Sequence, residues 1–181
     1  MALILSNIVT LHGSKAIKRL ESEIIKRFYS DGKKSNSNRD TAIKRILFGV
    51  DEAIEFDWDG LVGAQWVYAY SRSDKLEFIS RNSSVKKLAD HIAFYASKVD
   101  PNVVVQLDYF DSEGDLIGTK FATCNSDGQI VAAEAEVVTL AHLSIGRINQ
   151  IKMRKKREAL DALSRLLGND SKSFMINLDS L

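Results

Sequence analysis

The stretch from Ala64 to Phe110, AQWVYAYSRSDKLEFISRNSSVKKLADHIAFYASKVDPNVVVQLDYF, decides the fold class. Trp66, Val67, Tyr68 and Tyr70 lie before the polar turn Ser71-Arg72-Ser73-Asp74, and Leu76 and Phe78 lie after it, which predicts a β-hairpin. Val85, Leu88, Ala89, Ile92, Tyr95, Ala96 and Val99 then recur at steps of three and four residues, so a helix would carry them on one face. Ser83 or Ser84 is placed to cap its start, and Asp100-Pro101 stops it, because the residue before a proline is driven out of the helical region. Val103 to Phe110 returns as a strand.

Upstream, Leu5, Val9 and Leu11 alternate against Ile4, Ile8 and Thr10 in a first strand that ends at His12-Gly13. Ser14 then opens a helix whose stripe is Ile17, Leu20, Ile24, Ile25 and Phe28. Downstream, Leu116 to Thr123 and Gln129 to Val138 read as two further strands, set off by Asp111-Ser112-Glu113-Gly114-Asp115 and Asn125-Ser126-Asp127-Gly128. From Thr139 a long helical pattern runs through Leu140, Leu143, Ile148, Ile151, Leu160, Leu163 and Leu167 to Gly168. The order matches the split βαββαβ arrangement of a ferredoxin-like α+β sandwich, extended by an antiparallel hairpin and a C-terminal helix. The chain is expected to divide into a domain over 1–138 with a polar mobile loop over 30–40, a helix over 139–168, and a tail over 169–181.

At 181 residues with 45% apolar and 27% charged side chains, the chain is long and apolar enough to bury a core as one domain. Lys+Arg and Asp+Glu number 25 and 24, so no global field recruits nucleic acid or an anionic membrane, and any such affinity must come from a local patch. Cys124 is the lone cysteine, which excludes an internal disulfide and fits a reducing compartment such as a bacterial cytoplasm. Neither an export signal nor an apolar run long enough to cross a bilayer is present in the sequence, so no membrane role is expected.

Three places resemble the Api92-like family of phage- and plasmid-borne proteins. They are Ser6-Asn7-Ile8-Val9-Thr10-Leu11-His12-Gly13 followed by Ile17, then Gly63-Ala64-Gln65-Trp66-Val67-Tyr68-Ala69, then Asp108-Tyr109-Phe110-Asp111 to Gly118 with Asn125-Ser126-Asp127-Gly128. The resemblance spans residues 1 to about 135. Val62 stands where the family places a tryptophan, and Ser80 to Ser84 lacks its Trp-Ser-Pro-Pro stretch. The resemblance implies a ferredoxin-like accessory protein of a mobile element, and it carries over no catalytic residue.

No catalytic constellation, cofactor or metal site is read from the sequence. His12, His91 and His142 stand apart, and the HExxH, CxxC and GxxxxGK[ST] spacings are missing. Asp57, Asp59, Asp108, Asp111, Glu113 and Asp115 do not meet EF-hand spacing. His12 is the best exception, because functional groups often sit at a strand end beside a glycine turn. Two surfaces are expected on the C-terminal helix. Arg147, Lys152, Arg154, Lys155, Lys156 and Arg157 form a basic run suited to phosphate contacts, balanced in part by Glu158 and Asp161. Leu160, Leu163, Leu166 and Leu167 form an apolar cluster; on a helix of about 45 Å it would project beyond a small sheet and pair two chains as a homodimer. The expected function is non-enzymatic binding of a host or phage protein, with a nucleic-acid-binding module as the alternative.

Overall fold

The computed structural model describes residues 3–30, 65–69, 75–111, 116–139 and 143–168; of 24–30 and 65–69 only the backbone is described. Strands β1 (Ile4–His12), β2 (Gln65–Ala69), β3 (Leu76–Arg81), β4 (Val104–Asp111), β5 (Leu116–Cys124) and β6 (Ile130–Val138) form one sheet in the order β2-β3-β1-β4-β5-β6. Every neighbouring pair is antiparallel. Helices α1 (Lys15–Ser30), α2 (Lys86–Ala96) and α3 (Ile145–Leu167) complete the described elements. Of the expected loop over 30–40, Ser30 is instead the last residue of α1 and 31–40 lie outside the described residues, as do the tail over 169–181, Asp57, Asp59, Glu113, Asp115 and His142.

Alternation along β1 does what its sequence predicts, with Leu5, Val9 and Leu11 buried on one face. Val9 and Leu11 join Leu107, Tyr109, Phe78 and the inner stripe of α2, Leu88, Ala89 and Ile92, in the larger core, where Ile17 of α1 also lands. β3 stops pairing with β1 at Val9, so the Leu11 backbone needs other partners. Its N–H donates to Glu21 Oε1 at 2.8 Å, and its carbonyl accepts from Lys18 Nζ, both on α1. Asp100 accepts from the Ser14 N–H at 2.8 Å and the Asn102 N–H at 2.9 Å, tying the end of α2 to the turn before α1.

Neither serine caps α2. Its N-cap is Val85 with no side-chain cap bond, and the Val85 N–H donates instead to Asn7 Oδ1 at 3.1 Å. Asn7 is fully buried, and its Nδ2 reaches Ser80 Oγ at 2.8 Å and the Leu5 and Phe78 carbonyls. A β1 side chain thus takes over the work of a local cap and stitches two strands to a helix start. Val99 lies beyond the helix end, in the turn after Ala96, and is exposed.

On the opposite face α3 lies across β5 and β6. Ser144 caps it, accepting from the Arg147 N–H, so the helix starts at Ile145 and not at Thr139 and is 23 residues, about 34 Å at 1.5 Å per residue. Six strands at about 4.8 Å spacing give it a landing surface that a four-stranded sheet would lack. Leu160, Leu163 and Leu167 therefore do not project; they pack with Ala159 on Val104, Phe121 and Ala133 of the same chain. Leu166 alone of the four stays out, 63% exposed. This corrects the expected leucine interface, because the apolar face is already covered internally.

Candidate functional site

β-sheet alternation puts His12, Gln106, Asp108 and Phe110 on the α3 face of the sheet, and β5 supplies Thr119 opposite Asp108. Gln106 Nε2 donates to Asp108 Oδ2 at 2.8 Å, which leaves Gln106 Oε1 as the acceptor for His12 Nε2 at 2.8 Å. His12 Nε2 therefore carries a proton. Thr119 Oγ1 donates to Asp108 Oδ1 at 2.7 Å, and Lys156 Nζ stands 3.0 Å from Asp108 Oδ2. Lys152 Nζ sits 3.6 Å from the centre of the Phe110 ring, a cation–π contact. The line therefore runs from a strand end, across β4, to the underside of α3. It orients the helix, and its histidine spends its ring N–H on an amide rather than on a nucleophile.

The basic run is split by this arrangement. Lys155 and Lys156 are only 14% and 12% exposed; Lys155 bonds Glu158 at 2.5 Å, and Lys156 serves Asp108. Burial lowers the affinity of Lys152 for its proton, with Lys156 adding to the effect and Asp108 opposing it. Arg147, Arg154 and Arg157 face outward, with Arg154 60% exposed and 3.6 Å from Glu158. The structure does not bring the six cations together as one patch. Cys124 is buried in β5, with its Sγ 3.9 Å from the Ala93 carbonyl.

Between β6 and α2 lies a second charged group that the sequence does not signal. Glu136 Oε2 accepts from the Tyr109 hydroxyl at 2.6 Å, and Lys86 Nζ bridges Glu136 at 3.0 Å and Glu134 at 3.2 Å. Lys86 also lies 5.1 Å from the centre of the Tyr109 ring. The Tyr109 hydroxyl bond and then Lys86 hold the Glu136 carboxyl below the usual carboxylate range, while burial and Glu136 push the Tyr109 phenol well above its ordinary value. Among the described residues no group of three His, Cys, Asp or Glu side chains is arranged to hold a metal, and no helix is long and apolar enough to cross a membrane.

No family model, curated protein or solved structure matches this chain.

Burial sets the first pH response. It pulls His12 below its ordinary 6.5, with Lys18 adding and Gln106, Glu21 and Asp108 opposing; burial lowers His91 in the same way. The unfolded chain binds these protons first, so their stabilisation is complete above 6.5 and is lost as pH falls toward the folded values. Glu136 acts lower down: its contribution is present above 4.5 and is lost as the carboxylate protonates in the fold. Urea midpoints should thus descend in two stages, between about pH 7 and 5 and again below about 4.5. His12→Gln is expected to shrink the first stage and Glu136→Gln to remove much of the second. An unchanged first stage in His12→Gln rejects that assignment.

Proposed function

We propose that this chain is a non-enzymatic binding protein of ferredoxin-like fold, an accessory factor that docks on a protein partner by lending it a sheet edge. The β2-β3-β1-β4 order, with α1 following β1 and α2 following β3, supports the fold reading, with β5, β6 and α3 added to it. The observation that carries the functional reading is the contrast between the two edges of the sheet. β2 is five residues long, and its register slips between Gln65 and Tyr68, both devices that discourage pairing with another chain. β6 is nine residues, IVAAEAEVV, with no proline, glycine or lysine, and it pairs with β5 without a slip from Leu116↔Val138 to Cys124↔Ile130. Its two carboxylates are drawn back to Lys86 and Tyr109, so they do not screen the edge. Among the described residues no strand pairs with β6 on its outer side. A regular edge of this length accepts an extended segment as a further antiparallel strand, main-chain bonds giving affinity and alternate side chains giving selectivity.

The test uses lysines at the two exposed ends of the strand, Ile130 (42% exposed) and Val138 (66%). Ile130→Lys/Val138→Lys should fold normally by circular dichroism and lose a partner that the natural chain retains from host lysate, because edge lysines oppose strand addition. Equal retention of the same partner by both chains would exclude β6 as the docking edge.

A further inference from the structure

The arginines and lysines of α3 are sorted by depth. Lys152, Lys155 and Lys156 turn inward or along the helix to Phe110, Glu158 and Asp108, and Arg147, Arg154, Arg157 and Arg165 are exposed. At 3.6 residues per turn, Arg147, Arg154 and Arg165 fall within about 20° of one line, opposite Leu160, Leu163 and Leu167, and Arg157 lies on the adjoining row. The line extends about 27 Å at 1.5 Å per residue. Residues 147–157 contain no acid, and Gln150 adjoins the line, its Oε1 accepting from the Arg147 guanidinium at 3.2 Å. Farther along, Glu158 is shared by Lys155 at 2.5 Å and Arg154 at 3.6 Å, so one carboxylate meets two cations and Arg154, 60% exposed, can still turn to a phosphate, while Asp161 remains exposed near Arg165.

We propose that the outer face of α3 contacts the phosphodiester backbone of a nucleic acid, through Arg147, Arg154 and Arg157, with Arg165 extending the contact. A planar guanidinium matches phosphate bidentately, and amide side chains are common secondary donors to phosphate and sugar. A protein interface of the usual kind would centre on an aromatic or large aliphatic anchor. Here the exposed large aliphatics, Ile145 and Leu166, stand at the two ends of the line and not at its centre. The surface offers cations and one amide to a repeating anion without a group aimed at bases, so it should bind with little sequence preference. It uses no residue of β6, so the two surfaces can be altered independently.

The experiment is fluorescence anisotropy with the full chain and labelled DNA and RNA duplexes of about 20 base pairs, at salt from about 50 to about 200 mM. Three arginine–phosphate contacts predict a log–log salt slope near −2.7 on duplex DNA. Arg147→Gln/Arg154→Gln/Arg157→Gln should weaken binding at low salt by at least about tenfold and reduce the slope by about 2 to 3. Lys152→Gln should leave the slope as it is, since that cation faces Phe110. Salt-sensitive binding of either duplex that the triple variant loses supports the proposal, and comparison of the two duplexes distinguishes DNA from RNA. Absence of salt-sensitive binding, a slope unchanged in the triple variant, or displacement by polyglutamate as effective as by nucleic acid overturns it, the last identifying an acidic protein surface as the occupant.

Discussion

Gly118→Ala is expected to destabilise the chain by about 3 to 5 kcal/mol, comparable with truncating a buried aromatic outright. A Cβ at position 118 would stand 2.2 Å from Tyr109 Cζ and 2.4 Å from both Cε2 and the phenolic oxygen. Tyr109 lies directly across the ladder from Gly118, is buried, and is pinned by its 2.6 Å bond to Glu136. The ring cannot yield by a few tenths of an ångström. It must leave its rotamer, giving up both the core and the Glu136 contact, and that also loosens the inner face of β6. Denaturant unfolding of Gly118→Ala, Tyr109→Ala and the double variant separates the clash from simple loss of the ring. The double variant should be little worse than Tyr109→Ala alone, since the alanine then meets empty space. A loss of under about 0.5 kcal/mol in Gly118→Ala would show that the ring has a second seat.

That Gly–Tyr pair marks the limit of what periodicity reveals. Gly118 inside a strand pattern signals a bulge or a close approach, but only the register that sets Tyr109 opposite says which. The alternation of β1, the paired strands β4, β5 and β6 and the stripe of α2 follow from period alone, and those elements form where the spacing puts them, except that α2 ends at Ala96 and leaves Val99 out. α3 does not follow so directly. Its leucines look stranded only if the sheet is narrow, and period alone says that its cations cover more than one side of the helix without saying which of them are engaged. Long-range partners sort them: Asp108 and Phe110, more than 40 residues upstream, claim Lys156 and Lys152. The capping of α2 is hidden for the same reason, because Asn7 performs it from 78 residues away in sequence.

Lys120→Ala is expected to cost about 3 kcal/mol, at the lower end of what removing one partner of a buried ion pair costs. Alternation places this lysine on the inner face of β5, opposite Leu107, where an apolar residue would be expected. Its Nζ donates to Asp90 Oδ2 at 2.7 Å and to the Lys86 carbonyl at 3.1 Å, so one cation fixes the register of α2 over the sheet. Asp90 Oδ1 is buried without a hydrogen-bond partner among the described residues, and removing the lysine leaves the whole carboxylate uncompensated. The Asp90 side chain keeps 26% exposure, which moderates the penalty. Lys120→Met/Asp90→Leu removes both charges and keeps the volume, and it should recover most of that loss or exceed natural stability. Urea unfolding of the three chains decides the matter: a loss below about 1 kcal/mol for Lys120→Ala would place the pair among exposed bridges of little consequence.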